Sequence, residues 1–154
     1  MSARAFVLYS SSGGNAAYVQ NGRDEFLIDA GGSARRIETA LSRLGTGLSN
    51  IRAIFVTHEH TDHIKALETI SARYGIKIYA PAACHAAIRA AAPHAGALLA
   101  ENDDAGAVRL EDTVVYAVAT PHDAAASVGF RIDCGDECIG YFTDIGCFTT
   151  GMLR

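Results

Sequence analysis

Ile51-Arg52-Ala53-Ile54-Phe55-Val56-Thr57-His58-Glu59-His60-Thr61-Asp62-His63 joins an apolar run, interrupted only by Arg52, to three histidines and an aspartate packed within six residues. The run is rich in branched side chains and reads as a buried central strand that stops at Thr57. Downstream, Ile64, Leu67, Ile70 and Ala72 recur at helical spacing, with Asp62 serving the N-terminus and Gly75 the C-terminus, which predicts a helix over 62–74. The histidine cluster therefore occupies a strand-to-helix loop, the place where sites gather in α/β sheets. Imidazole plus carboxylate is a ligand set suited to zinc and to other first-row divalent ions. In extended backbone alternate residues face the same way, so His58 and His60 can reach one ion, while Asp62 and His63 at the helix start point to a neighbouring position. The spacing suits two adjacent ions better than one, the arrangement of many metal-assisted hydrolases. Glu59, flanked by ligands, points away from both.

Before this stretch the chain opens with antiparallel strands. Residues 4–9 and 16–20 flank the small-residue loop Ser10-Ser11-Ser12-Gly13-Gly14-Asn15, and Asn21-Gly22 is a hairpin signal leading into a strand over Glu25–Asp29. Ser33 caps a helix whose Ile37, Ala40, Leu41 and Leu44 fall on one face, with Gly45 ending it. After the histidine cluster come a strand at 76–80, a helix begun by Pro81 and running to about Ala92, and strands at 107–110, 113–119 and 127–133, with a last strand from 138 to 143 ending at Asp144. The fold class is α/β, layered.

The 154 residues, 49% hydrophobic and 19% charged, fit a single globular domain and oppose disorder. No secretory signal and no apolar window of spanning length is evident, so a cytoplasmic location and no membrane span are expected. The four cysteines, Cys84, Cys134, Cys138 and Cys147, lack the paired spacing of a structural zinc site and read as reduced, small apolar residues. A net charge of −4, with Lys65 and Lys77 the only lysines, gives no general attraction to a polyanion. Any nucleic-acid contact would depend on local arginines or on bound cations. His85 and His94 match no motif and read as surface or helix-end residues.

His-x-His-x-Asp-His after an apolar strand resembles the defining motif of the metallo-β-lactamase superfamily. The resemblance continues in order along the chain: Phe26-Leu27-Ile28-Asp29-Ala30-Gly31, then Thr120-Pro121-His122-Asp123, then Tyr141-Phe142-Thr143-Asp144-Ile145-Gly146. It implies His58, His60 and His122 on a first metal, Asp62 and His63 on a second, Asp144 between them, and Asp29 supporting from behind. Within the superfamily, Ser10-Ser11-Ser12-Gly13-Gly14-Asn15-Ala16 is similar to the opening of the WalJ/YycJ-type branch of nuclease-like hydrolases, with Gly13 where that branch has serine. The stretches His60–Leu67 and Pro121-His122-Asp123-Ala124 agree with the same branch.

What this resemblance implies is an αβ/βα sandwich, of which residues 1–154 form mainly the N-terminal half, incomplete at the C-terminus. One sheet would then expose a face that normally packs on its partner, a route to a homo-oligomer. The implied cofactors are two divalent ions, zinc or alternatively manganese, bridged by a hydroxide that attacks phosphorus, with Asp62 as the catalytic residue that orients it. The implied substrate is DNA or another phosphodiester. The histidine cluster by itself serves a thioester or lactone equally well, and a non-catalytic protein that binds metal or a partner stands as a further alternative.

Overall fold

The computed structural model describes residues 2–100, 106–121, 126–147 and 150. Three strands lead off, β1 (Arg4–Ser11), β2 (Gly14–Asn21) and β3 (Asp24–Ile28), paired antiparallel in sequence order. The Ser10–Asn15 segment is a tight turn between β1 and β2 rather than a broad loop, so Asn15 lies inside a strand. β4 (Ala53–Phe55), β5 (Lys77–Tyr79) and β6 (Leu99–Ala100) then add in parallel, giving a six-stranded sheet of order β1-β2-β3-β4-β5-β6. A second, antiparallel sheet holds β7 (Ala107–Arg109), β8 (Val114–Ala119), β9 (Val128–Asp133) and β10 (Cys138–Tyr141) in order β10-β9-β8-β7.

Strand alternation divides the core in two, because successive side chains face opposite sides of a sheet. Tyr18, Leu27, Ile54, Val56 and Ile78 face the helices, against Ile37 and Leu41 of α1 (Ala34–Arg43) and Leu67 and Ile70 of α3 (Leu67–Tyr74). Ala17, Val19, Phe26, Ile28 and Phe55 face the second sheet, against Val108, Val115, Phe130 and Ile132. Phe55 centres this inter-sheet core, stacked on Tyr79 at 5.2 Å and edge-on to Phe26 at 5.3 Å and Phe130 at 5.6 Å. The layers run helices, mixed sheet, antiparallel sheet. No helix among the described residues is long and apolar enough to cross a membrane.

Two helices depart from the sequence reading. The helix expected over 62–74 is broken into α2 (Thr61–Ile64) and α3. A continuous helix would have Ala66 N–H donate to Asp62 O; instead Ala66 N–H donates to Ala30 O at 2.8 Å. Gly31 presses on the Asp62 carbonyl, where an added Cβ would lie 1.7 Å from that oxygen, so the ladder is diverted to the end of β3. The helix expected from Pro81 to Ala92 is a 3-10 turn at Ala82–Cys84 and α4 (His85–Ala91), followed by α5 (Pro93–Ala97) and β6, neither of which the alanine-rich stretch signals. Ser33 caps α1 as expected, its Oγ accepting from Arg36 N–H at 3.1 Å.

The far end of the sandwich is clasped by polar groups. Fully buried Asp24 accepts from Glu111 N–H at 3.2 Å and Asp112 N–H at 2.7 Å, while Asn21 Nδ2 donates to Asp112 O at 2.7 Å and Thr113 Oγ1 at 3.1 Å. Gly22, at φ +55°, completes the hairpin, and a Cβ there would meet the Asp112 carboxylate at 2.4 Å. Truncating Asp24 strands backbone donors away from water, at a cost of about 1–3 kcal/mol for an unsatisfied buried group. Asp24→Ala is expected to lower the urea midpoint accordingly without changing the slope of the transition; an unchanged midpoint would remove the clasp from the account of stability.

Candidate metal centre

β3 and β4 end side by side, and at their ends sits Asp29, fully buried and at φ 61°. Its N–H donates to Phe55 O at 2.8 Å, and its carboxylate accepts from Thr57 N–H at 2.8 Å (Oδ1) and Thr57 Oγ1 at 2.9 Å (Oδ2). His63 Nδ1 lies 2.7 Å from the same Oδ2. Ala30 adds the backbone tie, donating to Asp29's neighbour in space: its N–H bonds His63 O at 2.8 Å. The first turn of α2 is thereby fixed against the sheet.

These bonds set the imidazole tautomers. With the His63 Nδ1 proton given to Asp29, Nε2 carries a lone pair. Thr57 Oγ1 spends its proton on Asp29, so His58 Nδ1, 2.9 Å from that oxygen, is the donor there, and His58 Nε2 also carries a lone pair. Both Nε2 atoms face carboxylate oxygen: Asp144 Oδ2 lies 3.0 Å from His63 Nε2 and 4.0 Å from His58 Nε2, and Asp62 Oδ2 lies 3.4 Å from His63 Nε2. Asn15 Nδ2, 3.2 Å from His63 Nε2, offers one donor there, and the remaining opposed lone pairs are relieved by a proton or a cation among them; a divalent metal is a cation this mixed nitrogen and oxygen set fits. His58, His63 and Asp144 present ligand atoms all within 4.8 Å of one another.

Burial opposes charge on His63, but the carboxylates of Asp29, Asp62 and Asp144 outweigh it and raise the ring's pKa above its ordinary value. The imidazoles of His58 and His63 are 1% exposed, whereas the side chains of Asp62 and Asp144 are 30% and 41% exposed, so the cluster opens to solvent on its carboxylate side. Asp144, reached just after β10 at φ 52°, comes from the second sheet. Val128 N–H donates to Thr57 O at 3.0 Å and holds the two sheets in register beside the cluster.

Of the residues singled out from sequence, His58, His63, Asp62 and Asp144 converge. His60 lies beside them, its ring centroid 4.6 Å from that of His58. His122 lies outside the described residues. Glu59 does face away, accepting from Cys84 Sγ at 3.0 Å. His85 Nε2 bonds Ala80 O at 2.9 Å and His94 pairs with Glu68, both away from the cluster. The four cysteines, read as reduced small apolar residues, are all free; Cys84 is buried and Cys134 half-buried, whereas Cys138 and Cys147 are exposed.

Asn15 is the residue that motif spacing around the histidines does not reveal. It is buried in β2, its Nδ2 donates to Asp62 Oδ2 at 3.0 Å and Ser11 O at 3.0 Å, and its Oδ1 accepts from Ser10 Oγ at 3.1 Å. Its carbonyl accepts from Gly31 N–H at 2.9 Å. The serine- and glycine-rich turn thus steadies Asp62, and the only sequence signal was the turn's likeness to the opening of the nuclease-like branch.

The pattern of the Metallo-beta-lactamase superfamily matches residues 11–136, and the chain belongs to that superfamily. It is 35% identical over 74 residues to the exodeoxyribonuclease WalJ of Streptococcus pneumoniae, a match covering 48% of this chain and 28% of WalJ. It is 38% identical over 74 residues to the exodeoxyribonuclease YycJ of Bacillus anthracis, again covering 48% of this chain and 28% of the relative. The chain thus matches less than a third of the length of these relatives. A Cronobacter sakazakii metallo-beta-lactamase structure superimposes with a TM-score of 0.73 at 20% identity, covering 85% of this chain and 58% of that one, a likeness of fold. The superfamily binds divalent metals and is one of metal-dependent hydrolases.

Partners that orient a ligand from behind typically contribute 10–100-fold to metal affinity. Asp29→Asn and Asn15→Ala are each expected to weaken zinc binding by about that range in a competition titration against a chromophoric chelator. Affinity equal to the parent in both would show that the ligands are held without them. Burial and the Glu59 carboxylate push the Cys84 thiol up to about 12. Iodoacetamide is therefore expected to label Cys138 and Cys147 in the native protein and to spare Cys84 until it is unfolded, as read by peptide mass spectrometry.

Proposed function

We propose that this chain provides the metal centre of a phosphodiesterase of the exodeoxyribonuclease kind. The observation that carries the proposal is the convergence of two buried imidazole Nε2 atoms and two partly exposed carboxylates at the mouth of the sandwich, in a chain whose curated relatives include the exodeoxyribonucleases WalJ and YycJ. In this reading His58, His60 and His122 hold one divalent ion, Asp62 and His63 a second, and Asp144 lies between them, with zinc the first choice and manganese the alternative. When bound, such a pair supplies Lewis acidity, lowering the pKa of water and drawing charge from a phosphoryl oxygen.

The chain's own residues do the positioning. Asn15 holds Asp62 Oδ2, which leaves Asp62 Oδ1 to accept a hydrogen bond from the nucleophile and orient it. Asp29 and Thr57 fix the two imidazoles before substrate arrives, so the site needs no rearrangement of its donors. With His58 and His63 each 1% exposed, water reaches the cluster from its carboxylate side only.

Protein purified without chelator is expected to hold two ions per chain by elemental analysis, and to shorten 5′-phosphorylated DNA when manganese or zinc is supplied. His58→Ala combined with His60→Ala is expected to lose the first ion and all measurable cleavage. Metal-loaded protein that leaves DNA intact and hydrolyses a thioester or lactone would replace the phosphodiester reading with a small-molecule one.

A further inference from the structure

Three arginines elsewhere on the molecule are paired with acids. Arg23 pairs with Glu111 at 2.5 Å, Arg52 with Glu111 at 2.9 Å and Arg131 with Asp133 at 3.0 Å. On the helical face the pattern reverses. An open cleft of about 580 Å³ between α1 and α3 is lined by Arg35, Lys65 and Arg73 together with Ser33, Glu38 and Tyr74. The three cations are exposed, and none makes an ion pair among the described residues.

Two acids lie near them, one lining the cleft itself, and each is held by a hydrogen bond of its own. Glu38 accepts from Leu48 N–H at 2.8 Å, and Glu68 of α3 is taken by His94, accepting its backbone N–H at 2.9 Å and pairing with its ring. Arg35 also lines the adjoining groove on the other side of α1, beside Arg43 and beside Arg36, whose guanidinium lies 3.8 Å over the Tyr9 ring. Five of the chain's 13 lysines and arginines thus share one face of a molecule whose net charge is −4. Five cations against the two carboxylates of Glu38 and Glu68 leave an excess of positive charge on this face, and a polyanion relieves the repulsion within it.

We propose that the α1/α3 cleft is a phosphate-binding subsite that takes the sugar–phosphate backbone of a nucleic-acid strand, a proposal that rests on the phosphodiesterase reading. Guanidinium groups grip phosphate through paired N–H donors, and Lys65 adds a point charge. The exposed ring of Tyr74 offers a base a stacking surface. The cleft is built from the same segments as the metal centre. Gly32 and Ser33 follow Gly31, which presses on Asp62, and Lys65 follows Asp62 by one helical turn. The cleft and the metal centre are thereby tied through the same two stretches of chain. Contacts of this kind read backbone and not base, so binding is independent of sequence.

The test is fluorescence anisotropy with labelled, 5′-phosphorylated oligothymidylate in chelator, at several salt concentrations, so that the metal centre makes no contribution. Arg35→Gln with Arg73→Gln is expected to weaken binding by about tenfold or more, and to flatten the log–log salt dependence by roughly 0.7 per cation removed. Arg23→Gln with Arg131→Gln, removing equal charge from other faces, is expected to leave affinity within about twofold of the parent. Equal losses in both pairs, or no loss in the first, overturns the subsite. Inorganic phosphate that raises the melting temperature while the oligonucleotide fails to bind overturns the nucleic-acid assignment in favour of a small phosphate. Oligonucleotide bound through Arg35 and Arg73 but never cleaved with any metal supports the subsite and overturns the phosphodiesterase reading separately.

Discussion

The buried carboxylate of Asp29 is the constraint on which the rest of the site depends. A charge with no solvent access is tolerable only where donors surround it, and here they come from the ends of two strands and the first turn of a helix. Thr57 supplies two of them and His63 the third. Removing any one would leave an under-paired buried charge, so the three segments are locked at a common point. The left-handed backbone of Asp29 is the local cost of pointing that carboxylate inward, and Asp is among the few residues that tolerate it.

From that lock the chemistry of the cluster follows with little freedom. Asp29 and Thr57 take the Nδ1 protons of two imidazoles, which leaves both Nε2 lone pairs directed at carboxylates arriving from elsewhere in the fold. One of these, Asp62, is held by Asn15 from the first hairpin; the other, Asp144, is delivered by the second sheet. Protonating His63 is one way to relieve the opposition of lone pairs, and its raised pKa expresses that tendency. A divalent ion is the other, and it requires the proton to leave. Metal and proton therefore compete for the same atom.

The sequence made the central part of this legible because it is local. His58, His60, Asp62 and His63 fall within six residues after a buried strand, and no folding step has to be guessed to place them together. Residues that act across the fold were visible only through likeness to a family: Asp29 and Asp144 are single aspartates at strand ends, and nothing in their own neighbourhoods distinguishes them from turn residues. Asn15 stood in a motif but had no assignable role, since its partner Asp62 is 47 residues away. The break between α2 and α3 was hidden for the same reason. Periodicity across 62–74 is helical throughout, and the interruption comes from Gly31 and Ala30 in another element. The alanine-rich stretch concealed α5 and β6 because small side chains carry no face pattern.

Net charge was the least informative number in the sequence, and the fold explains why. A total of −4 averages over faces that differ in sign. Acids at the hairpin clasp and on β9 are spent on Arg23, Arg52 and Arg131, and Glu38 and Glu68 are spent on a backbone amide and a histidine. What remains is a helical face with an excess of positive charge and a mouth where Asp62 and Asp144 gather. Fields of opposite sign on neighbouring surfaces orient a polyanion more strongly than a uniform positive charge: in the proposed reading the helical face would attract the backbone, while the carboxylates would repel it from the mouth until cations were bound there. Metal loading would then do two things at once, completing the chemistry and changing the sign of the surface on which the strand end has to rest.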